Sequence, residues 1–160
     1  MKLKTTLPTH APSALQDVVL LLSRIGLGVV MIAHGWQKLG DQGVEGTAAG
    51  FDAMGIPFPA AAAHYATWVE LVGGVLLVAG LLTPLVGLLV AADMAGAFWY
   101  AHRDGGVFVT EGGWELVAMV GLLGLTLAAV GAGRLSLDRW ISGALAQDSA
   151  AAPERDTVDA

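Results

Sequence analysis

The sequence predicts an all-α integral membrane protein, an antiparallel four-helix bundle with both termini in the cytoplasm. The first observation is composition: of 160 residues, 55% are hydrophobic and only 14% are charged, and the mean hydropathy is +0.65, whereas soluble domains contain roughly 25% charged residues. The second is a set of four long apolar segments separated by glycine, proline and polar residues. The third is the distribution of lysine and arginine around those segments, which predicts their orientation.

The first apolar segment covers residues 18–39. At about 1.5 Å per residue, a helix of this length crosses a hydrocarbon core of about 30 Å. Residues 1–16, rich in threonine, alanine and proline, are predicted to form a flexible tail. A cleaved signal peptide is the alternative, but Ser23-Arg24 interrupts the apolar core and no small-residue cleavage site follows at the right distance. We therefore expect an uncleaved first helix.

The second and third helices are predicted to form a hairpin over residues 60–82 and 85–101. Gly55-Ile56-Pro57-Phe58-Pro59 cannot continue a regular helix, so residues 40–59 are predicted to form a loop with a short interfacial turn around residues 48–54. Thr83-Pro84 is long enough only for a tight antiparallel return.

The fourth helix is predicted at residues 114–132, after a polar loop. Residues 17–141 thus form one four-span membrane domain, and residues 142–160, rich in alanine and acidic residues, are predicted to be a disordered acidic tail. An even number of spans places both termini on one side.

Basic residues predict which side that is. Five lie with the termini, namely Lys2, Lys4, Arg134, Arg139 and Arg155, whereas only Lys38 and Arg103 lie on the opposite side. The positive-inside rule places the termini in the cytoplasm. The expected location is the inner (plasma) membrane, with several passes.

Three charged residues, Arg24, Glu70 and Asp93, lie inside the predicted spans. Each unpaired charge near the bilayer centre costs about 2.5–3.5 kcal/mol. Counted from the segment midpoints, both acids lie near the centre and Arg24 lies about 6 Å to the cytoplasmic side. We therefore expect Arg24 to contact Glu70, Asp93 or both, with one acid protonated because one cation cannot neutralise two carboxylates. Helical periodicity places Arg24 in a stripe with Gly28, Met31, Gly35 and Lys38.

A second polar layer, His34, Lys38, His102 and Glu115, is predicted near the outer end of the helices. Histidine beside carboxylates at a wet vestibule can relay protons or bind an anionic or carbonyl-bearing ligand. The structural alternative is that these charges only fix the helix register. The spacing of His34, His102 and Glu115 matches no known metal signature, so no metal site is expected.

Several short motifs occur in a fixed order along the chain. They are Arg24 with His34-Gly35 and Lys38, the Gly55-Ile56-Pro57-x-Pro59 entry, Glu70 with Gly73-Gly74, the region of Met94 and Ala97, and the closing Gly131-x-Gly133-Arg134-Leu135-Ser136-Leu137-Asp138. In this order and spacing they resemble the DoxX family of small four-helix bacterial membrane proteins, over about residues 18–139. The resemblance implies a link to thiosulfate-to-quinone oxidoreductases or to oxidative-stress and thiol homeostasis. It supplies no agreed catalytic set, and the chain has no cysteine for covalent sulfur chemistry.

Two classes of function follow from these features. In the first, the chain is a membrane component of a redox or oxidative-stress system. A quinone would accept hydrogen bonds from His34 or Lys38, and Glu115 or Glu70 would exchange protons. No haem, flavin or iron–sulfur ligation pattern is visible, so electrons would come from a redox partner protein or a small reductant.

In the second class, the chain is a non-catalytic scaffold or a small proton or solute permeation protein whose intramembrane charges are structural. The residues leave an enzyme and a non-catalytic protein equally open. The expected partners in both cases are the lipid bilayer and further copies of the chain. The net charge of −6 indicates little about partners, because the acidic residues cluster in the loop after Gly40 and in the last dozen residues. Nucleic acid is not an expected partner.

Overall fold

The regular structure is entirely helical over residues 13–151, which are the residues that the computed structural model describes. Six α-helices follow one another: α1 (Ser13–Trp36), α2 (Gly43–Ala53), α3 (Pro59–Ala79), α4 (Thr83–Ala97), α5 (Glu115–Val130) and α6 (Leu137–Ala151). The all-α prediction is confirmed. Of the predicted tails, residues 1–12 and 152–160 lie outside the described part of the chain.

Two of the helices continue into π-helical turns. Gln37–Asp41 extends α1, and Phe98–His102 extends α4. The first turn ends with a hydrogen bond from Gln42 N to the Gln37 oxygen at 3.1 Å, and an equivalent bond of 2.8 Å ends the second. Turns of this kind occur mostly as single insertions within α-helices and are frequent at functional sites.

Three helical stretches in the described residues are long and apolar enough to cross a membrane. They are Ser13–Asp41 with 29 residues, Pro59–Ala79 with 21 and Thr83–His102 with 20. Helix α5 is also apolar but has only 16 residues. Large apolar side chains on the outer faces stay exposed, for example Leu122 at 58%, as a lipid-facing surface requires. The protein is therefore a membrane protein.

The helices extend beyond the predicted spans. Helix α1 begins at Ser13, within the segment predicted to be a tail, and the Asp17 carboxylate holds this extra turn by accepting a 2.6 Å hydrogen bond from Arg134. Residues 142–151, predicted to be disordered, belong to α6, and most of the predicted loop forms α2 against α3. The first turn of α1 and helix α2 contact partners distant in sequence, which composition does not reveal.

Close glycine contacts hold the helices in pairs. Helix α1 lies along α3 and α4 along α5, while contacts of α3 with α4 and of α1 with α5 join the pairs. A Cβ atom on Gly28 would stand 2.6 Å from the Gly74 oxygen, and one on Gly87 would stand 2.5 Å from the Gly124 oxygen. Small residues allow such backbone approach in membranes. The buried apolar side chains between the helices are Leu27, Met31, Leu77, Val86, Val90, Met94, Val117 and Leu127.

Gly28→Ala is expected to destabilise the protein by about 1–3 kcal/mol, as overpacking of a tight core does. The new methyl group would meet the Gly74 oxygen at 2.6 Å and Val78 Cγ2 at 2.7 Å. Gly26→Ala is the matched control, because a Cβ atom there has no neighbour within 4 Å and alanine favours a helix by about 1 kcal/mol. Thermal unfolding of both variants in one detergent measures the difference. Equal melting temperatures would refute the tight contact.

Candidate functional site

An ion pair between Lys38 and Glu70 connects α1 to α3 inside the protein. The Lys38 Nζ atom lies 2.7 Å from Glu70 Oε2, and the side chains are only 18% and 5% exposed. Gly35, one turn before Lys38, lets the helices approach, because a Cβ atom there would collide with the Leu71 backbone. The predicted contact of Glu70 with Arg24 is therefore wrong: the cation beside Glu70 is Lys38.

Asp93 of α4 belongs to the same charged cluster. Its carboxylate interacts electrostatically with Glu70 and with Lys38. The Oδ2 atom is buried and has no hydrogen-bond partner among the described residues. Two carboxyl groups and one ammonium group carry a formal charge of −1 when all are ionised, so a single proton makes the cluster neutral. The expected closeness of Glu70 and Asp93 agrees with this arrangement.

Arg24 lies at the opposite end of the helices. Its side chain is fully buried, and its guanidinium donates to the carbonyl oxygens of Leu77, at 3.3 Å, and Leu135. The last carbonyls of a helix lack partners within the helix and carry partial negative charge, so a cation stabilises them. Arg24 therefore binds the end of α3 rather than the acids near the middle of α3 and α4.

Asp138 completes the contacts around Arg24. Its two carboxylate oxygens accept hydrogen bonds from the backbone nitrogens of Leu82, at 2.8 Å, and Thr83, at 3.1 Å, where α4 begins. Its own nitrogen donates to the Gly80 oxygen, and its charge acts on Arg24. The signal for its role was its position in the closing Leu135-Ser136-Leu137-Asp138 motif.

Two cavities meet at the Lys38–Glu70 pair, and both also touch Ala97 and His102. Cavity A, about 340 Å³, lies on the side of α2, α3 and α4; its wall includes Phe51, Met54, Ile56, Tyr65, Asp93 and Tyr100. Cavity B, about 280 Å³, lies on the side of α1, α4 and α5; its wall includes Val30, Met31, His34, Leu116, Val117 and Val120. The ion pair thus separates two spaces of ligand size.

The predicted outer layer is only partly brought together. Lys38 and His102 line both cavities, and His34 lines cavity B. Glu115 lines neither of these cavities; its Oε1 accepts a hydrogen bond of 2.8 Å from Val109 N and thereby closes the loop before α5. The predicted separation of Lys38 from Glu70 into different layers is wrong, because the Lys38 side chain reaches inward from its π-helical turn.

His102 has a defined orientation at the end of the second π-helical turn. Its Nδ1 lies 3.0 Å from the Gly112 oxygen. A carbonyl oxygen only accepts hydrogen bonds, so Nδ1 carries a hydrogen, and in the neutral ring Nε2 is then an acceptor. Within residues 13–151, no group of three histidine or acidic side chains is placed to hold a metal ion. The neutral His102 ring thus offers an acceptor at Nε2, and Lys38 offers donors.

Comparison with known proteins places these helices in a wider group. The profile of the DoxX family matches residues 19–103, from α1 through the second π-helical turn. "Putative oxidoreductase CatD" of Bacillus subtilis (strain 168) is 32% identical over 125 residues, which cover 78% of this chain and 88% of that protein. No solved structure matches the chain significantly. The region that the family profile matches contains Lys38, Glu70, Asp93 and His102, but not Glu115.

Proposed function

Because this chain belongs to the DoxX family, we propose that it is a membrane component of a redox system and that it binds a quinone in cavity B. The observation that carries the proposal is the composition of that cavity. Lys38, His34 and His102 line a space of about 280 Å³ whose remaining wall is mostly apolar. A quinone has the matching form, a flat apolar ring with two carbonyl oxygens that accept hydrogen bonds.

The polar groups of cavity B suit both redox states of a quinone. Lys38 uses one of its three donors on Glu70, which leaves two for a ring carbonyl. Reduction adds two electrons and two protons to the ring oxygens. Lys38 and His102 lie at both cavity walls and can pass protons between the ring and the Glu70 carboxyl group. A volume near 300 Å³ lies at the lower end of ligand sites, which suits a ring whose lipid tail leaves between the helices.

We further propose that α1, α3, α4 and α5 cross the inner membrane as an antiparallel four-helix bundle. The contacts α1–α3, α3–α4, α4–α5 and α5–α1 form a closed ring, which supports this arrangement. The termini lie in the cytoplasm, because most basic residues flank them. Cavities A and B then lie toward the outer half of the bundle, and the Arg24 end faces the cytoplasm.

Titration of the purified protein with decylubiquinone tests the quinone site. His34→Ala should weaken binding about tenfold, as loss of one hydrogen bond of about 1.4 kcal/mol does. His64→Ala is the matched control, because His64 is exposed on α3 and lines neither cavity A nor cavity B. The proposal fails if the unmodified protein has no affinity for decylubiquinone, or if both variants bind it equally well.

A further inference from the structure

Cavity A differs from cavity B in its hydrogen-bonding chemistry. Lys38, Glu70 and His102 line both cavities, whereas the Asp93 carboxyl group lines cavity A but not cavity B, and the His34 ring lines cavity B but not cavity A. The Asp93 Oδ2 atom is buried without a hydrogen-bond partner among the described residues. A carboxyl group can accept hydrogen bonds in both its ionised and its protonated form. The Asp93 carboxyl group thus gives cavity A a hydrogen-bond acceptor that cavity B lacks, and this acceptor favours a ligand with a hydroxyl group.

Cavity A has three phenyl or phenol rings in its otherwise mostly aliphatic wall. Phe51, Tyr65 and Tyr100 line it from α2, α3 and the second π-helical turn. The Tyr65 hydroxyl donates to the Leu89 oxygen at 2.8 Å, so this ring is held in place and offers mainly its apolar surface. Aromatic side chains bind flat rings by stacking and by edge-to-face contact.

We propose that cavity A is a second substrate site, which binds the electron donor as a small neutral aromatic diol of the hydroquinone class. This inference rests on the proposed quinone site in cavity B. The ring of the donor lies among Phe51, Tyr65 and Tyr100, and one hydroxyl donates to Asp93. The cluster of Lys38, Glu70 and Asp93 is neutral when it holds one proton, which favours a neutral ligand over a cation.

The reaction between the two sites balances without a further reactant. The diol in cavity A loses two electrons and the two protons of its O–H groups and becomes a quinone. The quinone in cavity B gains two electrons and two protons and becomes a diol. The two protons of the diol pass to Asp93 and Glu70, and Lys38 delivers protons one at a time to the quinone and regains each from Glu70, which it contacts at 2.7 Å. Electrons cross the short wall that both cavities share, at the Lys38–Glu70 pair.

Anaerobic calorimetry with durohydroquinone and with decylubiquinone tests the assignment of the two cavities. Asp93→Asn should weaken the binding of durohydroquinone at least tenfold and change the binding of decylubiquinone by less than twofold. His34→Ala should show the reverse pattern. Asp93→Asn should also lower the rate of durohydroquinone oxidation by decylubiquinone at least tenfold. Durohydroquinone binding that depends on His34 but not on Asp93 overturns the second site. Tighter binding of benzylammonium than of durohydroquinone also overturns it, because cavity A would then be a cation site.

Tyr100→Ala tests cavity A independently, because this substitution does not alter the charged cluster. This change should weaken the binding of durohydroquinone about fivefold or more without affecting the binding of decylubiquinone. Trp99→Ala is the control, because Trp99 is exposed in the same turn and lines neither cavity. If decylubiquinone binds normally and durohydroquinone does not bind, only the inference for cavity A fails. If decylubiquinone itself does not bind the unmodified protein, the quinone site fails as well.

Discussion

Lys38→Met is expected to lower the free energy of unfolding by about 3 kcal/mol, near the low end for breaking a buried ion pair. Glu70 is only 5% exposed, so the change leaves its carboxylate buried beside Asp93 with no cation in contact. Lys38 keeps 18% exposure, which places the loss at the lower end of the range. Chemical unfolding of the detergent-solubilised protein, followed by circular dichroism, measures the change.

The double variant Lys38→Met/Glu70→Gln should regain more than half of that stability. The second change removes the unpaired negative charge while it keeps the shape of the Glu70 side chain. Methionine in the single and double variants is the same, so its packing contributes equally to both. If the double variant is no more stable than Lys38→Met alone, the stability does not depend on charge compensation at this pair.

Arg24→Leu is expected to lower the free energy of unfolding by about 3–5 kcal/mol. The reason differs from that for Lys38→Met. The guanidinium makes two hydrogen bonds to the carbonyl oxygens of Leu77 and Leu135, and hydrogen bonds from charged groups contribute about 1.5–3 kcal/mol each. Its loss leaves the Leu135 oxygen without its donor, leaves the Leu77 oxygen with only the Gly80 nitrogen at 3.1 Å, and removes the positive charge near Asp138. Unfolding in detergent, measured as for Lys38, gives the size of the loss.

Two comparisons define the role of Arg24. Arg139→Leu, which changes an exposed arginine, should alter stability by less than about 0.5 kcal/mol. Adding Glu70→Gln to Arg24→Leu should restore nothing, because Arg24 does not contact that acid. A rescue by Glu70→Gln would show that Arg24 and Glu70 interact, contrary to the observed placement.

The class of protein and the buried face of α1 could be predicted from the sequence. Hydrophobic composition alone indicates a membrane protein, and the periodic stripe is confirmed, since Arg24, Gly28, Met31 and Gly35 are all buried. Composition does not depend on residue order, and the stripe depends only on the order of residues within one segment. Local patterns of this kind are visible without knowledge of the neighbouring helices.

The partner of Glu70 could not be predicted, because it depends on how far α1 is shifted along α3. Gly28 meets Gly74 and Gly35 meets Leu71, so the helices run antiparallel and Arg24 falls at the end of α3. The depth assigned to Arg24 assumed a helix that began at Val18, whereas α1 begins at Ser13 and its π-helical extension ends at Asp41. The glycine contacts set this shift, and helical periodicity contains no information about it.

The π-helical turn Gln37–Asp41 has a consequence for how the length of this region can vary. It contains one residue more than an ordinary helical turn, so deletion of one residue would convert it to α-helix and leave the helix continuous. That loss would turn the neighbouring side chains by about 100° around the helix axis, and Lys38 would no longer face Glu70. The same holds for Phe98–His102 and its histidine. A one-residue gap at either turn in a related sequence would therefore mark a change in the chemistry of the charged cluster, although it would look like harmless variation at a helix end.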